Sequence, residues 1–293
     1  DCYGHGDPAN KEISMKITQD TVCFITGGAT GIGFAIAGAL AARGAKIMLA
    51  DLHQDKLDAA AAKLSAKGAD VATVVCDVAD EAQMRAAAQA TIDRFGKVHV
   101  VANNAGVALG GAPGAIDMKD WRWIVDINLI GVAHGVEIFT PLIQSHGEGG
   151  YFINTASMSG RGTGPGMAPY HATNFAVVGY REALKQELEP SNIGVSILCP
   201  AWVKTDIHRS SFDKPTGGGD ESDPMFQTMR DVINSGLDPA DVAEWTAQCV
   251  EADRLYIFTH PEFSGAIGQR FAMIKADYDA CSDFPAFQKK DAG

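Results

Sequence analysis

A glycine-rich turn near the start of the chain has the composition of a phosphate-binding site. Residues 26–33 read Thr-Gly-Gly-Ala-Thr-Gly-Ile-Gly, after an apolar segment of strand length and before a helical pattern. Glycines let a diphosphate approach the backbone closely, and the first N–H groups of a helix can donate hydrogen bonds to its oxygens. Such a turn can also be only a tight connection, but its context favours a dinucleotide site. The candidate phosphate-binding residues are Gly27, Thr30, Gly31, Ile32 and Gly33.

A carboxylate at the end of the second apolar segment could bind the sugar beside that diphosphate. Asp51 lies about 20 residues beyond the glycines, where an acidic side chain can accept hydrogen bonds from both ribose hydroxyls. The same charge repels a 2′-phosphate; neither Ala29 nor Thr30 supplies a cation for one, and His53 is a weak cation. An aspartate at a strand end can also be merely solvated. In this position it favours NAD over NADP.

The elements that must position these residues alternate between strand and helix. The apolar segments lack strict alternation, as is typical of strands buried on both faces. This order predicts an α/β fold with one doubly wound parallel sheet of about seven strands, helices on both faces, in a single domain. The strand segments are residues 22–26, 46–50, 71–75, 98–102, 151–155, 194–199 and 255–259, and the helical ones are residues 32–43, 54–67, 81–95, 118–143, 170–188 and 239–251.

Composition and charge argue against several classes of protein. The 293 residues are 46% hydrophobic and 20% charged, which is typical of globular chains and not of disordered ones. A formal net charge of −12 opposes binding to nucleic acid or to an anionic membrane surface. We see no spanning segment or signal peptide and expect a cytoplasmic protein. Six scattered cysteines without a Cys-x-x-Cys pair predict no metal site and no disulfide framework.

Five motifs in chain order resemble the short-chain dehydrogenase/reductase family over residues 18–259. They are the Gly-x-x-x-Gly-x-Gly spacing of the turn, Asp77-Val78, Asn103-Asn104-Ala105-Gly106, Asn128 in Asn-Leu-Ile-Gly, and Pro-Ala-Trp-Val-Lys-Thr at residues 200–205, where Ala201 replaces the usual glycine. The resemblance implies a Rossmann-type fold, a nicotinamide cofactor and a catalytic role for Asn128. It adds as cofactor-binding residues Asp77, Val78, Asn103, Gly106, Tyr170, Asn174, Val203 and Thr205.

The family resemblance extends to a serine and a tyrosine that carry the chemistry. Ser157 and Tyr170 are 13 residues apart, the serine after the fifth strand and the tyrosine at the start of a helix, so that their hydroxyls can meet at one substrate oxygen. The resemblance gives Tyr170 the proton transfer and Ser157 the hydrogen bond to the developing oxyanion. Ser159 is a nearby alternative, but the spacing selects Ser157.

One position departs from the family pattern. Four residues after its tyrosine the family has a lysine, which binds the nicotinamide ribose and lowers the tyrosine pKa, whereas this chain has Asn174. Lys185 lies about 16 Å further along the helix and cannot reach, and Lys204 is a weak candidate for compensation. The asparagine is compatible with a natural variant that uses another relay, a degenerate cofactor-binding homologue, or an introduced substitution. We expect reduced activity with an alkaline optimum.

The substrate side contains apolar residues. Residues 206–238 hold several glycines and prolines and predict a long loop that acts as a lid. If this loop folds over the nicotinamide, Trp202, Phe212, Met225 and Phe226 line the substrate side. Val107 and Leu109 follow the fourth strand toward the same opening, and ordinary packing explains each of the six equally well. They favour an apolar or aromatic secondary alcohol or ketone. Residues 257–262 loosely resemble the family branch that oxidises aryl carbinols.

The domain organisation follows from these assignments. Residues 1–17 are predicted to be an N-terminal tail or an appended remnant, residues 18–260 the catalytic domain, and residues 261–293 an aromatic-rich C-terminal extension that packs on the body or on a neighbouring subunit. The family resemblance implies an NAD-dependent alcohol dehydrogenase or ketoreductase that forms a homodimer or homotetramer. The alternative, an NAD-binding sensor without turnover, is favoured only by Asn174.

Overall fold

Seven strands form one parallel sheet in the computed structural model of the chain, which describes residue 13 and residues 15–287. The strands are β1 (Val22–Thr26), β2 (Lys46–Asp51), β3 (Val71–Val75), β4 (Val100–Asn103), β5 (Gly150–Thr155), β6 (Ile193–Cys199) and β7 (Tyr256–Phe258). Their order is β3-β2-β1-β4-β5-β6-β7, and each neighbouring pair is parallel. The predicted sheet is therefore confirmed.

Helices cover both faces of this sheet. Within the described residues they are α1 (Gly31–Ala42), α2 (Gln54–Ser65), α3 (Glu81–Phe95), α4 (Met118–Val125), α5 (Gly131–His146), α6 (Ala168–Leu188), α7 (Pro224–Asn234), α8 (Pro239–Glu251) and α9 (Ser264–Ser282). One core lies between the sheet and α1, α2 and α8, and a second lies between the sheet and α3, α5 and α6. This arrangement is a doubly wound Rossmann-type fold.

The strands read as continuous apolar segments because successive side chains enter opposite cores. In β1, Cys23 and Ile25 belong to the first core, whereas Phe24 belongs to the second, where its ring lies 4.5 Å from that of Phe139. All of these side chains are inaccessible to water. Burying one such side chain stabilises the fold by roughly 1.5–3 kcal/mol.

A turn of π-helix over Asp126–Ile130 joins α4 to α5. The helix predicted for residues 118–143 therefore extends to His146 and is interrupted by this wider turn. By length and composition alone, Met118–His146 is long and apolar enough to cross a membrane. This differs from the expectation, stated above, that the sequence contains no spanning segment. That is weak evidence, since a core helix passes the same test. Val136 and Phe139 of this segment pack against the sheet.

The lid segment differs from a plain loop. It contains a short 3₁₀ segment, Ile207–Phe212, and the helix α7. Asp223 accepts a hydrogen bond from the Met225 N–H (2.8 Å), and Pro224 occupies the first helical turn. Both residues favour the start of a helix, but the glycines nearby in the sequence led to the prediction of a loop.

The C-terminal extension is helical. Helix α9 contains no buried residue, and the aromatic side chains Phe271, Tyr278, Phe284 and Phe287 are exposed. Among the described residues, these four side chains are each more than half exposed. The predicted N-terminal tail lies mostly outside the described residues, as do Cys2 and residues 288–293.

Candidate active site

A cleft of about 1190 Å³ opens at the carboxyl ends of the strands, where the strand order reverses between β1 and β4. Ligands of open α/β sheets bind in such a crevice because the loops that leave neighbouring strands diverge there. The residues at or just after six strand ends line it: Gly27, Asp51, Cys76, Asn104, Thr155 and Pro200.

The glycine turn forms one wall of this cleft. Gly27 and Gly31 have φ values of +60° and +55°, which favour glycine. Gly33 lies behind the turn, where a Cβ atom would come within 2.2 Å of the Gly27 carbonyl oxygen. Thr30 and Ile32 line the cleft, as do Gly27 and Gly31, while Gly33 does not. The backbone of the turn is therefore open to a ligand.

Asp51 lines the cleft beside the turn. Its Oδ2 accepts a hydrogen bond from the Ala29 N–H at 3.2 Å, which fixes the carboxylate against the glycine turn. No ion pair among the described residues involves Asp51. Lys56, on the first turn of α2, also lines this part of the cleft, and the sequence reasoning did not consider it. Its position one helical turn beyond His53 was the available signal.

The strand-end asparagines divide between core and cleft. Asn103, a predicted cofactor residue, is buried outside the cleft lining, and its amide donates to the Asn154 Oδ1 at 2.9 Å. Asn104 lines the cleft instead and donates to the Thr26 carbonyl oxygen at 3.1 Å. Successive side chains along β4 point to opposite faces of the sheet, which explains why Asn104 and not Asn103 lines the cleft.

Further residues that were predicted to bind the cofactor line the cleft. Asp77 and Val78 line the cleft after β3, Gly106 lines it after β4, and Val203 and Thr205 line it after β6. A Cβ atom at Gly31 would lie 3.1 Å from the Thr205 Cγ2, so that the segment after β6 faces the glycine turn.

Asn128 faces the cleft from the π-helical turn. Its amide donates to the Val107 carbonyl oxygen, and its Oδ1 accepts from the Val107 N–H, both at 2.9 Å. The amide also approaches the Thr173 hydroxyl at 3.5 Å. Asn128 thus connects the loop after β4 to α6.

Ser157 and Tyr170 come together in the cleft wall. The Ser157 Oγ donates to the Pro200 carbonyl oxygen (3.2 Å) and accepts from the Ser159 N–H (3.1 Å), which orients the side chain. Tyr170 lines the same cleft. Burial by the surrounding protein raises the pKa of Tyr170, and hydrogen bonding by the side chains of Ser157 and Asn174 lowers it in part.

Asn174 lies one helical turn after Tyr170 and is buried at the cleft. Its Nδ2 donates to the Tyr170 carbonyl oxygen at 2.8 Å. Lys185 pairs with Asp253 at 3.0 Å, away from the site. Lys204 lines a separate groove beside α1 and α8 and is absent from the cleft lining, so it is not placed to replace a charge beside Tyr170.

The substrate side of the cleft is mainly apolar. Trp202, Phe212 and Val107 line it as expected, but Leu109, Met225 and Phe226 do not. Met225 is 73% exposed, and the Phe226 ring packs on Phe212 with centroids 5.5 Å apart. The sequence reasoning missed the side chains that replace them, which come from α7 and the C-terminal extension: Met229, Ile233, Phe263, Ala266 and Ile267.

A second polar cluster lies at the amino ends of the strands. His99, His146 and Glu148 have metal-ligating atoms within 4.8 Å of one another. Both ring nitrogens of His99 have partners, the Val22 N–H and the Glu148 carboxylate. Both ring nitrogens of His146 also have partners, the Val98 carbonyl oxygen and the Glu148 N–H, and the Glu148 carboxylate pairs with Lys97. These bonds occupy the atoms that a metal would need, so we assign no metal to this cluster.

Comparisons with known proteins agree with this geometry. The family model described as short chain dehydrogenase matches residues 21–216. The chain is 33% identical to a CLA biosynthesis dehydrogenase/reductase of Lactiplantibacillus plantarum, over 90% of this chain and 96% of that protein. It is 32% identical to a C alpha-dehydrogenase of Sphingobium sp. (strain NBRC 103272 / SYK-6), over 89% and 87%. The crystal structure of a short chain dehydrogenase/reductase from Burkholderia phymatum in complex with NAD superposes with a TM-score of 0.85 at 35% identity, over 90% and 96% of the two chains.

Proposed function

The chain belongs to the short-chain dehydrogenase/reductase family, and from that premise we propose that it transfers a hydride between NAD and an apolar or aromatic secondary alcohol or its ketone. The observation that carries this proposal is that Ser157 and Tyr170 line the same cleft, together with the glycine turn. Relatives that are dehydrogenases and reductases support the reaction class.

The residues of the cleft fit a nicotinamide dinucleotide. The glycine turn exposes backbone where side chains would obstruct a diphosphate, and it leads into the N-terminus of α1. The Asp51 carboxylate is suited to ribose hydroxyls and disfavours a 2′-phosphate, although Lys56 is a cation nearby. A similar protein binds NAD in its crystal structure, which supports NAD as the cofactor.

The mechanism assigns one task to each polar side chain. When bound, the nicotinamide ring accepts or donates the hydride. Tyr170 accepts the hydroxyl proton of the alcohol in oxidation and returns it in reduction. The Ser157 hydroxyl, which donates to the Pro200 carbonyl oxygen without substrate, rotates to donate its one hydrogen bond to the substrate oxygen. Asn128 positions this pair by holding the loop after β4 against α6.

Asn174 limits this mechanism because it brings no charge to Tyr170. A nearby cation usually lowers a pKa by about 1–3, and an ordinary tyrosine is only about 0.1% ionised at pH 7. We therefore propose that alcohol oxidation is about 10- to 1,000-fold slower at neutral pH than with a lysine at this position, and rises at alkaline pH.

The substrate class follows from the apolar lining. Trp202, Phe212 and Ile267 offer flat and aliphatic surfaces beside the catalytic pair. They suit a ring or a hydrocarbon chain attached to the carbinol carbon. An aryl carbinol is the specific candidate that we would test first.

The test mixes the protein with NAD and a panel of secondary alcohols at about pH 7 and about pH 10, and follows the absorbance of the reduced cofactor. Turnover that rises with pH and disappears in Tyr170→Phe supports the proposal. NAD binding without turnover at either pH contradicts it and favours the sensor, the alternative that Asn174 suggests.

The family commonly forms oligomers, and we propose a homodimer or homotetramer. The exposed apolar side chains of α9, among them Phe271 and Met273, support an assembly of this kind. Size-exclusion chromatography with light scattering measures it. We also propose that the enzyme works in the cytoplasm.

A further inference from the structure

Residues 159–167 form a glycine-rich loop over the cleft, and the residue that follows the catalytic tyrosine holds this loop. We propose that His171 is a positioning residue that fixes the loop and thereby determines the affinity for the alcohol or ketone. This inference rests on the proposed function of the cleft.

The loop needs an external support. Gly160, Gly162, Gly164 and Gly166 alternate with other residues along it. A Cβ atom at Gly162, Gly164 or Gly166 would meet nothing within 4 Å, so packing restrains this stretch little. Glycines also lose the most conformational freedom when a segment is ordered. An ordered loop of this composition therefore depends on hydrogen bonds from outside it.

His171 supplies two such bonds, one to each end of the stretch. The Gly164 N–H donates to the Nε2 atom of His171 at 3.0 Å. The Nδ1 atom of the same ring lies 3.0 Å from the Ser159 carbonyl oxygen. Because a carbonyl oxygen only accepts and a backbone N–H only donates, the ring carries its proton on Nδ1 and its lone pair on Nε2. The neutral imidazole matches both partners, and the bonds tie residue 159 to residue 164.

The far side of the loop has a separate attachment. The Gly166 carbonyl oxygen accepts a hydrogen bond from the Gly111 N–H at 2.8 Å. The loop contributes six residues to the cleft lining: Ser159, Gly162, Thr163, Gly164, Pro165 and Met167. On the Ser159 side, the Ser159 N–H donates to Ser157 and Arg161 pairs with Glu182, so that side stays attached without His171. Loss of the His171 bonds would instead free the stretch around Gly164, which His171 ties back to Ser159.

The ring of His171 bonds to the loop and not to the side chains of Tyr170 and Asn174, the residues of α6 that are assigned to the cofactor. His171 follows Tyr170 directly on α6, while the glycine turn and Asp51 lie on different elements. Loosening the loop should weaken substrate binding and leave NAD binding unchanged. A residue needed only for folding would change both.

The experiment compares His171→Phe, which removes both hydrogen bonds in a ring of similar size, with His171→Gln, which keeps an acceptor for the Gly164 N–H. His146→Phe is the matched control, since His146 also makes two hydrogen bonds but at the opposite edge of the sheet. We expect His171→Phe to raise KM for the alcohol about tenfold with unchanged NAD affinity, His171→Gln to fall between, and the control to leave both unchanged.

Amide hydrogen exchange of residues 159–166 provides the second measurement, which does not depend on turnover. Faster exchange in His171→Phe, restored in part by His171→Gln, is expected. An unchanged KM, or a raised KM with unchanged exchange, overturns the proposal. If the wild type shows no turnover, the proposed function has failed. Amide hydrogen exchange alone then tests whether His171 holds the loop in place.

Discussion

Replacing Asn174 by lysine tests how far the missing charge limits the catalytic tyrosine. Side chains four residues apart on a helix have Cβ atoms about 5–6 Å apart, so an ammonium at position 174 can approach the Tyr170 hydroxyl. At about 5 Å and an effective dielectric constant of about 20, a cation stabilises the phenolate by about 3 kcal/mol. This energy lowers the pKa of Tyr170 by about 2 and raises the reactive fraction about 100-fold at neutral pH.

The gain should be larger at neutral than at alkaline pH, because surrounding protein raises the pKa of Tyr170 in the unmodified chain. The assay is the initial rate of alcohol oxidation at saturating NAD from about pH 6 to about pH 10. Asn174→Gln controls for side-chain length without charge, and Gly179→Lys adds the same charge at an exposed position of α6. The reasoning is refuted if Asn174→Lys binds NAD normally but shows no gain at neutral pH, or if Asn174→Gln gains as much.

Two further predictions concern the cofactor and stability towards acid. Asp51→Asn should weaken NAD binding about 10-fold or more, because it removes a charged hydrogen-bond acceptor, and it should reduce the preference for NAD over NADP. Titration of cofactor fluorescence measures both affinities. Unchanged affinities would contradict the assignment of Asp51 to the ribose. Lys97 and His99 lower the pKa of Glu148 to about 2, so this group stabilises the fold above its unfolded pKa near 4.5 and the contribution is lost as the pH falls toward 2. In urea unfolding between pH 5 and pH 2, the free energy of unfolding should fall less steeply in Glu148→Gln than in the unmodified protein. Parallel plots of this free energy against pH for the two proteins would refute the prediction.

The sheet could be predicted because its strands are buried on both faces. The bounds of β1, whose five residues are all buried, agree with the predicted segment to the residue, since an uninterrupted apolar segment between turn residues has few alternative structures. The bounds of β3 agree as well, although this edge strand is only partly buried. Helices α3 and α8 agree equally well, since Asp80 and Asp238 cap their first turns through backbone N–H groups.

The parts of the site that sequence reasoning missed depend on side-chain direction or on distant contacts. Asn103 and Asn104 are chemically identical, and only the strand pleat decides which one faces the cleft. Lys204 belongs to a segment that lines the cleft, yet its own side chain lies in another groove. Ile267 reaches the cleft because α9 begins beside it, a contact that no local pattern encodes.

The wider turn at residues 126–130 also bears on how the length of this chain can vary. A π-helical turn holds one residue more than the α-helical turn it replaces, so the helices on either side keep their own faces toward the sheet while the additional residue is absorbed locally. A deletion of one residue within this turn would shorten the chain and let the Val136 and Phe139 contacts persist, but it would withdraw the Asn128 amide from Val107. The number of residues in this turn is therefore constrained by the position of Asn128 in the site and not by the packing of the helices on the sheet.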